Sequence, residues 1–239
     1  MKKNVFSADD FTEKKMKPYF MNEKIVLNLL QKKEFEIIGA ICKDVFEPKS
    51  FFAFKDNNSK TLAVAHMDTI NIPSGLKIED GIIKSSVVDN RLGVYIITEL
   101  LQRKNINSDL LITTNEEICY SSARYFIPEK TYNWIYSFDR FGDNAALYQY
   151  INSTSWVSEL KKHGFKVCTG SYSDIVDMAH LGASGVNLGI GYCQNHHDVE
   201  AFAEIKTTVN QLNKFHRFYE AFQFTHFQYD SITSLLDDY

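Results

Sequence analysis

At 239 residues, 44% hydrophobic and 14% aromatic, the chain has enough apolar surface for a sizeable core and lies outside the aromatic-poor, highly charged range of disordered sequences. Its 26 basic and 30 acidic residues give a formal charge of −4 with neither sign gathered in a block, which argues against a nucleic-acid surface. No signal-like apolar stretch follows Met1-Lys2-Lys3, no run reaches the roughly 18 residues of a membrane span, and Cys42, Cys119, Cys168 and Cys193 are too dispersed for a disulfide framework. A soluble, cytoplasmic chain with no membrane partner is expected.

No repeat, low-complexity tract or Gly/Pro-rich linker divides the sequence, so one domain over 1–239 is expected, with 1–24 as a flexible or packing N-terminal segment. Helical periodicity marks Glu23 to Leu30, and Phe51-Phe52-Ala53-Phe54 reads as a strand ending in the turn Asp56-Asn57-Asn58. A buried strand, Thr61 to Ala65, is followed by a loop through Pro73 and Gly75 and a small hairpin around Asp80-Gly81. A helix from about Leu92 to Arg103, a strand Leu110 to Thr114, a short helix Ser122 to Phe126 and strands Trp134 to Phe138 and Ala145 to Tyr150 come next. Ser155 to His163 and Asp174 to Leu181 read as helices closed by Gly164 and Gly182. Val186 to Ile190 reads as a strand, and a last long helix starts near Ala203. Strands alternating with helices, apolar on both faces, predict an α/β fold: a mainly parallel central sheet with helices on both faces and sites gathered at strand ends.

Polar residues occur at those ends. His66-Met67-Asp68 follows the strand Leu62 to Ala65. Asp89 precedes a helix, where it could either cap or meet a metal. Asn115-Glu116-Glu117 follows the next strand, and adjacent carboxylates there repel each other unless a cation or proton compensates. Asp139 closes Trp134 to Phe138, and His196-His197-Asp198 comes after Val186 to Ile190. Imidazoles with carboxylates and no paired cysteines suit zinc, with cobalt or manganese as alternatives, in a catalytic and not a structural site.

In this order, His66-x-Asp68, Asp89-Asn90-Arg91-Leu92-Gly93, Glu116-Glu117, Asp139 and His196 resemble the co-catalytic zinc exopeptidase clan over about residues 62 to 205. The segments Asp89 to Gly93 and Thr113 to Glu117 look most like its glutamyl-aminopeptidase and tetrahedral-aminopeptidase branch. The resemblance implies two divalent metal ions. His66, Asp89 and Glu117 would be ligands, with Asp89 bridging, and Asp139 and His196 would complete the two sites. It further implies Glu116 as the general base acting on a water between the ions, and Asp68 as the residue that orients His66. His196 stands four residues before Glu200, as the clan's last ligand does, and His197 is the alternate.

Only 20 residues lie between Asp68 and Asp89 and 34 between Asp139 and Asp174, so the inserted domain of the larger relatives has no room here. The turn Gly170 to Asp174 resembles a glycine-rich turn that shapes the clan's substrate pocket. Arg91 and Arg140 each follow a candidate ligand and can either hold a substrate carboxylate or form structural ion pairs. The implied activity is hydrolysis of a peptide or acyl-amide bond in a small substrate, foremost as an aminopeptidase. A deacylase or carboxypeptidase-like amidohydrolase, or a catalytically silent binding module, are the alternatives, and the sequence leaves the oligomeric state open.

Overall fold

A computed structural model describes residues 5–21, 36–39, 51–73, 75–148, 153–193 and 201–228. The expected helix Glu23 to Leu30 lies outside them. The strands are β1 (Glu36–Gly39), β2 (Phe51–Lys55), β3 (Thr61–His66), β4 (Lys77–Glu79), β5 (Ile82–Lys84), β6 (Asp109–Thr113), β7 (Trp134–Phe141), β8 (Asn144–Leu147), β9 (Lys166–Thr169), β10 (Gly185–Cys193) and β11 (Phe202–Glu204). Among the described residues the longer α-helices are α1 (Glu13–Phe20), α2 (Val88–Tyr95, continued by a π-helical stretch Ile96–Leu100 and a last α-turn Leu101–Arg103), α3 (Thr154–Lys162) and α4 (Ile205–Phe222).

The strands form one sheet in the order β1-β2-β6-β3-β7-β10-β11-β5-β4, with β8 alongside β10 and β9 alongside β8. Its centre, β6-β3-β7-β10, is parallel, as the runs apolar on both faces predict. Both flanks are antiparallel: β1 and β2 on one side, β11, β5 and β4 on the other. The parallel strands therefore all deliver their carboxyl ends to one edge.

Strand alternation sorts the core into two layers. Ala63 and Ala65 of β3, Leu110 and Ile112 of β6, and Trp134, Tyr136 and Phe138 of β7 join one buried cluster, whereas Leu62, Val64, Leu111 and Ile135 join the other. The first layer holds side chains from α1, α2, α3 and α4, among them Met16, Leu92, Trp156 and Phe215. The second is roofed by two 3-10 helices, Ser122–Tyr125 and Asp174–Leu181, which supply Ala123, Ile175 and Met178. Helices therefore cover both faces, as the sequence pattern predicts: among the described residues α1 to α4 pack on one and the 3-10 helices Ser122–Tyr125 and Asp174–Leu181 on the other.

Residues of the N-terminal segment pack. Phe6, Phe11, Met16, Tyr19 and Phe20 are buried in the first layer, and Tyr95 donates its hydroxyl to the Asp10 carbonyl at 2.7 Å. Each such side chain contributes on the order of 1.5–3 kcal/mol by leaving water. Among the described residues no helix is long and apolar enough to cross a membrane.

Candidate metal centre

The last residue of β3 is His66, whose ring is completely buried. Its Nδ1 faces the Asp68 carbonyl oxygen at 3.0 Å and the Asp68 carboxylate at 3.6 Å, and that carboxylate in turn accepts from the Glu117 amide at 3.1 Å. With Nδ1 so engaged, Nε2 points across the strand ends. It lies 3.2 Å from Asp89 Oδ1, 3.3 Å from Asp139 Oδ1 and 3.7 Å from Glu116 Oε2.

Asp89 reaches this point through an irregular helix start. It and Asn90 have non-helical backbone angles, and the helix cap at Val87 receives no side-chain hydrogen bond, so Asp89 does not act as the cap. The Asp89–Asn90 peptide is cis. Asn90 Oδ1 accepts from the Gly93 amide at 3.0 Å and from the Tyr192 hydroxyl at 2.8 Å, tying the turn to β10. A Cβ at Gly93 would stand 1.9 Å from that Oδ1 and 2.5 Å from the Phe138 carbonyl oxygen. Glycine is thus the residue that lets α2 lie against β7 and brings Asp89 to Asp139.

The acidic pair after β6 is fixed by a tight turn. Asn115 at φ 65° and Cys119 at φ 56° are left-handed at its two ends, and Cys119 N donates to the Glu116 carbonyl at 2.8 Å. Asp139 lies within β7, not at its end, because the strand runs on to Phe141; its amide is held by Asn187 Oδ1 at 3.0 Å.

One ligand atom from each of His66, Asp89 and Asp139 falls within 4.8 Å of the others. Burial, then Asp89, pushes the Asp139 carboxyl well above its usual range, and burial, then Asp174 and its carboxylate neighbours, pushes Glu116 up to about 8. His66 is raised although burial opposes it, because the Asp139 and Glu116 carboxylates prevail. Without a cation the cluster must take up protons, and Asp139 Oδ1 is a buried oxygen with no hydrogen-bond donor. One imidazole with two carboxylates is a donor set that fits a divalent ion of the zinc type.

Glu117 shares the cavity beside the triad, which is about 270 Å³ and also lined by Asp89, Glu116, Asp139 and Arg140. His196 and His197 lie outside the described residues, as do Asp198 and Glu200. Ser171 and Tyr172, from the turn singled out in the sequence, line the same cavity. Arg91 is buried, whereas Arg140 faces the cavity.

The turn Gly170 to Asp174 stood out in the sequence for its backbone, but the Asp174 carboxylate was not among the expected site groups. Asp174 is completely buried; its Oδ1 accepts from Thr113 Oγ1 at 2.8 Å and from Ser121 Oγ, and its Oδ2 has no partner. Burial lifts its pKa to about 6. In sequence it looks like an acid in the first turn of a helix, because Ser173 caps that helix by accepting from Ile175 N.

No family model matches the chain, and no curated protein does. Solved structures share its fold. Aminopeptidase PepT from Bacillus cereus superposes with a TM-score of 0.63 at 14% identity, covering 90% of this chain and 98% of that one. A tripeptidase from Staphylococcus aureus gives 0.62 at 13%, covering 88% and 98%, and the glutaminyl cyclase of Porphyromonas gingivalis gives 0.59 at 12%, covering 91% and 99%. The architecture is one that peptidases and glutaminyl cyclases use, in agreement with the fold that the zinc-exopeptidase resemblance implies.

Proposed function

We propose that the chain is a metallohydrolase that cleaves a peptide or acyl-amide bond of a small substrate, foremost as an aminopeptidase. The supporting observation is the convergence of His66 Nε2, Asp89 and Asp139 on one point with Glu116 alongside. His66, Asp89 and Asp139 would hold a divalent ion, and the resemblance to the zinc exopeptidases implies a second ion with Glu117 and His196 as further ligands. Zinc, or cobalt or manganese in its place, supplies positive charge that polarises the scissile carbonyl and acidifies water.

The residues do the remainder. Asp68 occupies Nδ1 of His66 and so commits Nε2 to the site. Glu116, beside the triad, accepts a proton from the attacking water and hands it to the departing amine nitrogen. Glu117 is held by its amide to Asp68, which keeps the two adjacent glutamates in separate roles. A cavity of about 270 Å³ is slightly smaller than most small-molecule sites, roughly 300–1,000 Å³, which suits a short substrate.

A screen of aminoacyl, N-acyl, dipeptide and N-terminal glutaminyl substrates with zinc, cobalt and manganese tests this reading. Hydrolysis that a chelator abolishes and added metal restores is expected. A chain that binds none of the three metals, or an activity indifferent to chelation, would overturn it.

A further inference from the structure

We infer that Arg140 makes the cavity a carboxylate-reading site, so that the substrate is a short peptide or N-acyl amino acid with a free carboxylate near the scissile bond. The inference rests on the hydrolase reading above and names the substrate class of that same site.

Arg140 follows Asp139 on β7 and lines the cavity together with Asp89, Glu116 and Glu117. Its Nε donates to Asn144 Oδ1 at 2.6 Å, and its guanidinium carbon sits 4.6 Å from the centre of the Phe141 ring. A neutral amide at one edge and an aromatic face behind it hold the guanidinium in place while leaving its charge unneutralised. Among the described residues no carboxylate lies within ion-pairing distance of Arg140, although its cavity carries Asp89, Glu116, Glu117 and Asp139. Arg124, by contrast, holds both oxygens of Asp177 at 2.7 Å. A structural arginine looks like Arg124.

Electrostatics directs an anion to the same place. Arg140 is the only cationic side chain among the described residues lining the cavity, against four carboxylates. Among the described side chains that line the cavity the guanidinium is the one that attracts a substrate carboxylate, and its remaining N–H groups form a fork matched to two carboxylate oxygens. A free amine, if the substrate has one, is drawn to the acidic side. The two preferences orient a short peptide across the cavity.

Alanyl-alanine, alanyl-alanine amide and alanyl-glutamate amide separate the possibilities, because they carry a terminal carboxylate, none, and a side-chain carboxylate respectively. With metal supplied, wild type should prefer one of the two acids over alanyl-alanine amide by about ten- to a hundredfold in KM, the range of a charge-assisted pair. Arg140→Gln should erase that preference by raising KM for the acid alone, with kcat nearly unchanged, and Arg140→Lys should restore part of it. Asn144→Ala keeps the charge but frees its anchor, and should give an intermediate loss even if Arg140→Gln fails to fold. Equal use of acid and amide by wild type, or an equal loss on both in Arg140→Gln, overturns the inference.

Binding is measured separately by calorimetry on Glu116→Gln with and without Arg140→Gln. If no substrate is cleaved at all, the hydrolase reading fails. Tighter binding of the acid that disappears with Arg140→Gln would still support the subsite, and equal or undetectable binding of acid and amide would reject it.

Discussion

At the amino end of β6, Asp109 is completely buried and both of its oxygens are filled. Oδ1 accepts from the amides of Asn57 at 2.9 Å and Ser59 at 3.0 Å, while Oδ2 accepts from the Tyr132 hydroxyl at 2.8 Å and pairs with Lys130 Nζ at 2.6 Å. At the carboxyl end of the same parallel strands, Asp68 Oδ1, Asp139 Oδ1 and Asp174 Oδ2 are buried without a hydrogen-bond donor. Among the described residues, His66 is the one imidazole that faces the carboxylates crowded there. A buried charge that serves only the fold is compensated by the fold. One that is left uncompensated at a strand edge points to a partner from outside, and the carboxyl edge is where α/β sheets place their ligands.

The largest expected effect lies on the uncompensated side. Glu116→Gln should lower turnover by about 10² to 10⁴, the range for a general acid-base group, while metal content and melting temperature stay near wild type. Glu117→Gln should weaken metal binding first and recover activity in part with added metal, which Glu116→Gln should not. Near-normal turnover of Glu116→Gln would remove it as the proton carrier.

On the compensated side the same kind of change should strike the fold instead. Asp109→Ala strands two amides and the Tyr132 hydroxyl, while Lys130 keeps Asp56 at 2.7 Å, and buried donors left unsatisfied cost about 1–3 kcal/mol each, so a loss of about 3–5 kcal/mol is expected. The unfolding free energy from urea titration should fall by that amount while the kcat of the folded fraction holds. A neutral Asp109→Ala beside a destabilising Glu116→Gln would reverse the comparison.

Much of this contrast was legible in the sequence, but not evenly. The runs of β2, β3, β6, β7 and β10 announced themselves as apolar strands, and the acids after them stood out because such residues rarely follow buried strands by accident. The strand β9 did not, because Lys166-Val167-Cys168-Thr169 is half-exposed and pairs only with β8. Nor did β11, which runs into α4 without a turn between them. The Asp174 carboxylate was hidden for a different reason: the residue's turn and helix-start context is local, whereas its burial between Thr113 and Ser121 depends on strand order. Local pattern names the donors; topology decides which of them meet.

Metal should convert the uncompensated edge into a source of stability. An ion at 100 times its dissociation constant adds about 2.7 kcal/mol to any fold that alone binds it, roughly 5–10 °C for a chain of this size. Scanning calorimetry with zinc, and again with a chelator, should show that difference. No shift with zinc, cobalt or manganese would mean that the acidic edge is not a metal site.

The smallest effect is the one that separates the two kinds of carboxylate most sharply. In the metal-free chain, Asp139→Asn should raise stability near pH 8 by about 1 kcal/mol, because it removes a buried carboxyl that must either stay charged facing Asp89 and Glu116 or take a proton from alkaline solvent, while keeping the shape. His66 loses one partner but keeps Asp89 at 3.2 Å and Glu116 at 3.7 Å. The sign with pH follows from the direction of the shift. A carboxyl whose pKa is raised on folding binds a proton that the unfolded chain has released, so its favourable contribution is complete below the unfolded value and is lost as pH climbs toward the folded one. For Asp139 that loss begins near the ordinary aspartate value of 3.8, and Glu116, raised from 4.5 to about 8, carries it to the alkaline side of neutrality. Near pH 4 a protonated Asp139 and an asparagine are close to equivalent, and the two chains should melt together. Their curves should separate as pH rises, the variant above. Saturating zinc should then invert the order, because the wild type gains the metal's binding energy and an asparagine in a ligand position recovers little of it. An Asp139→Asn chain less stable than wild type at pH 8 without metal would mean that Asp139 is compensated as fully as Asp109, and the distinction between the two ends of the sheet would fall.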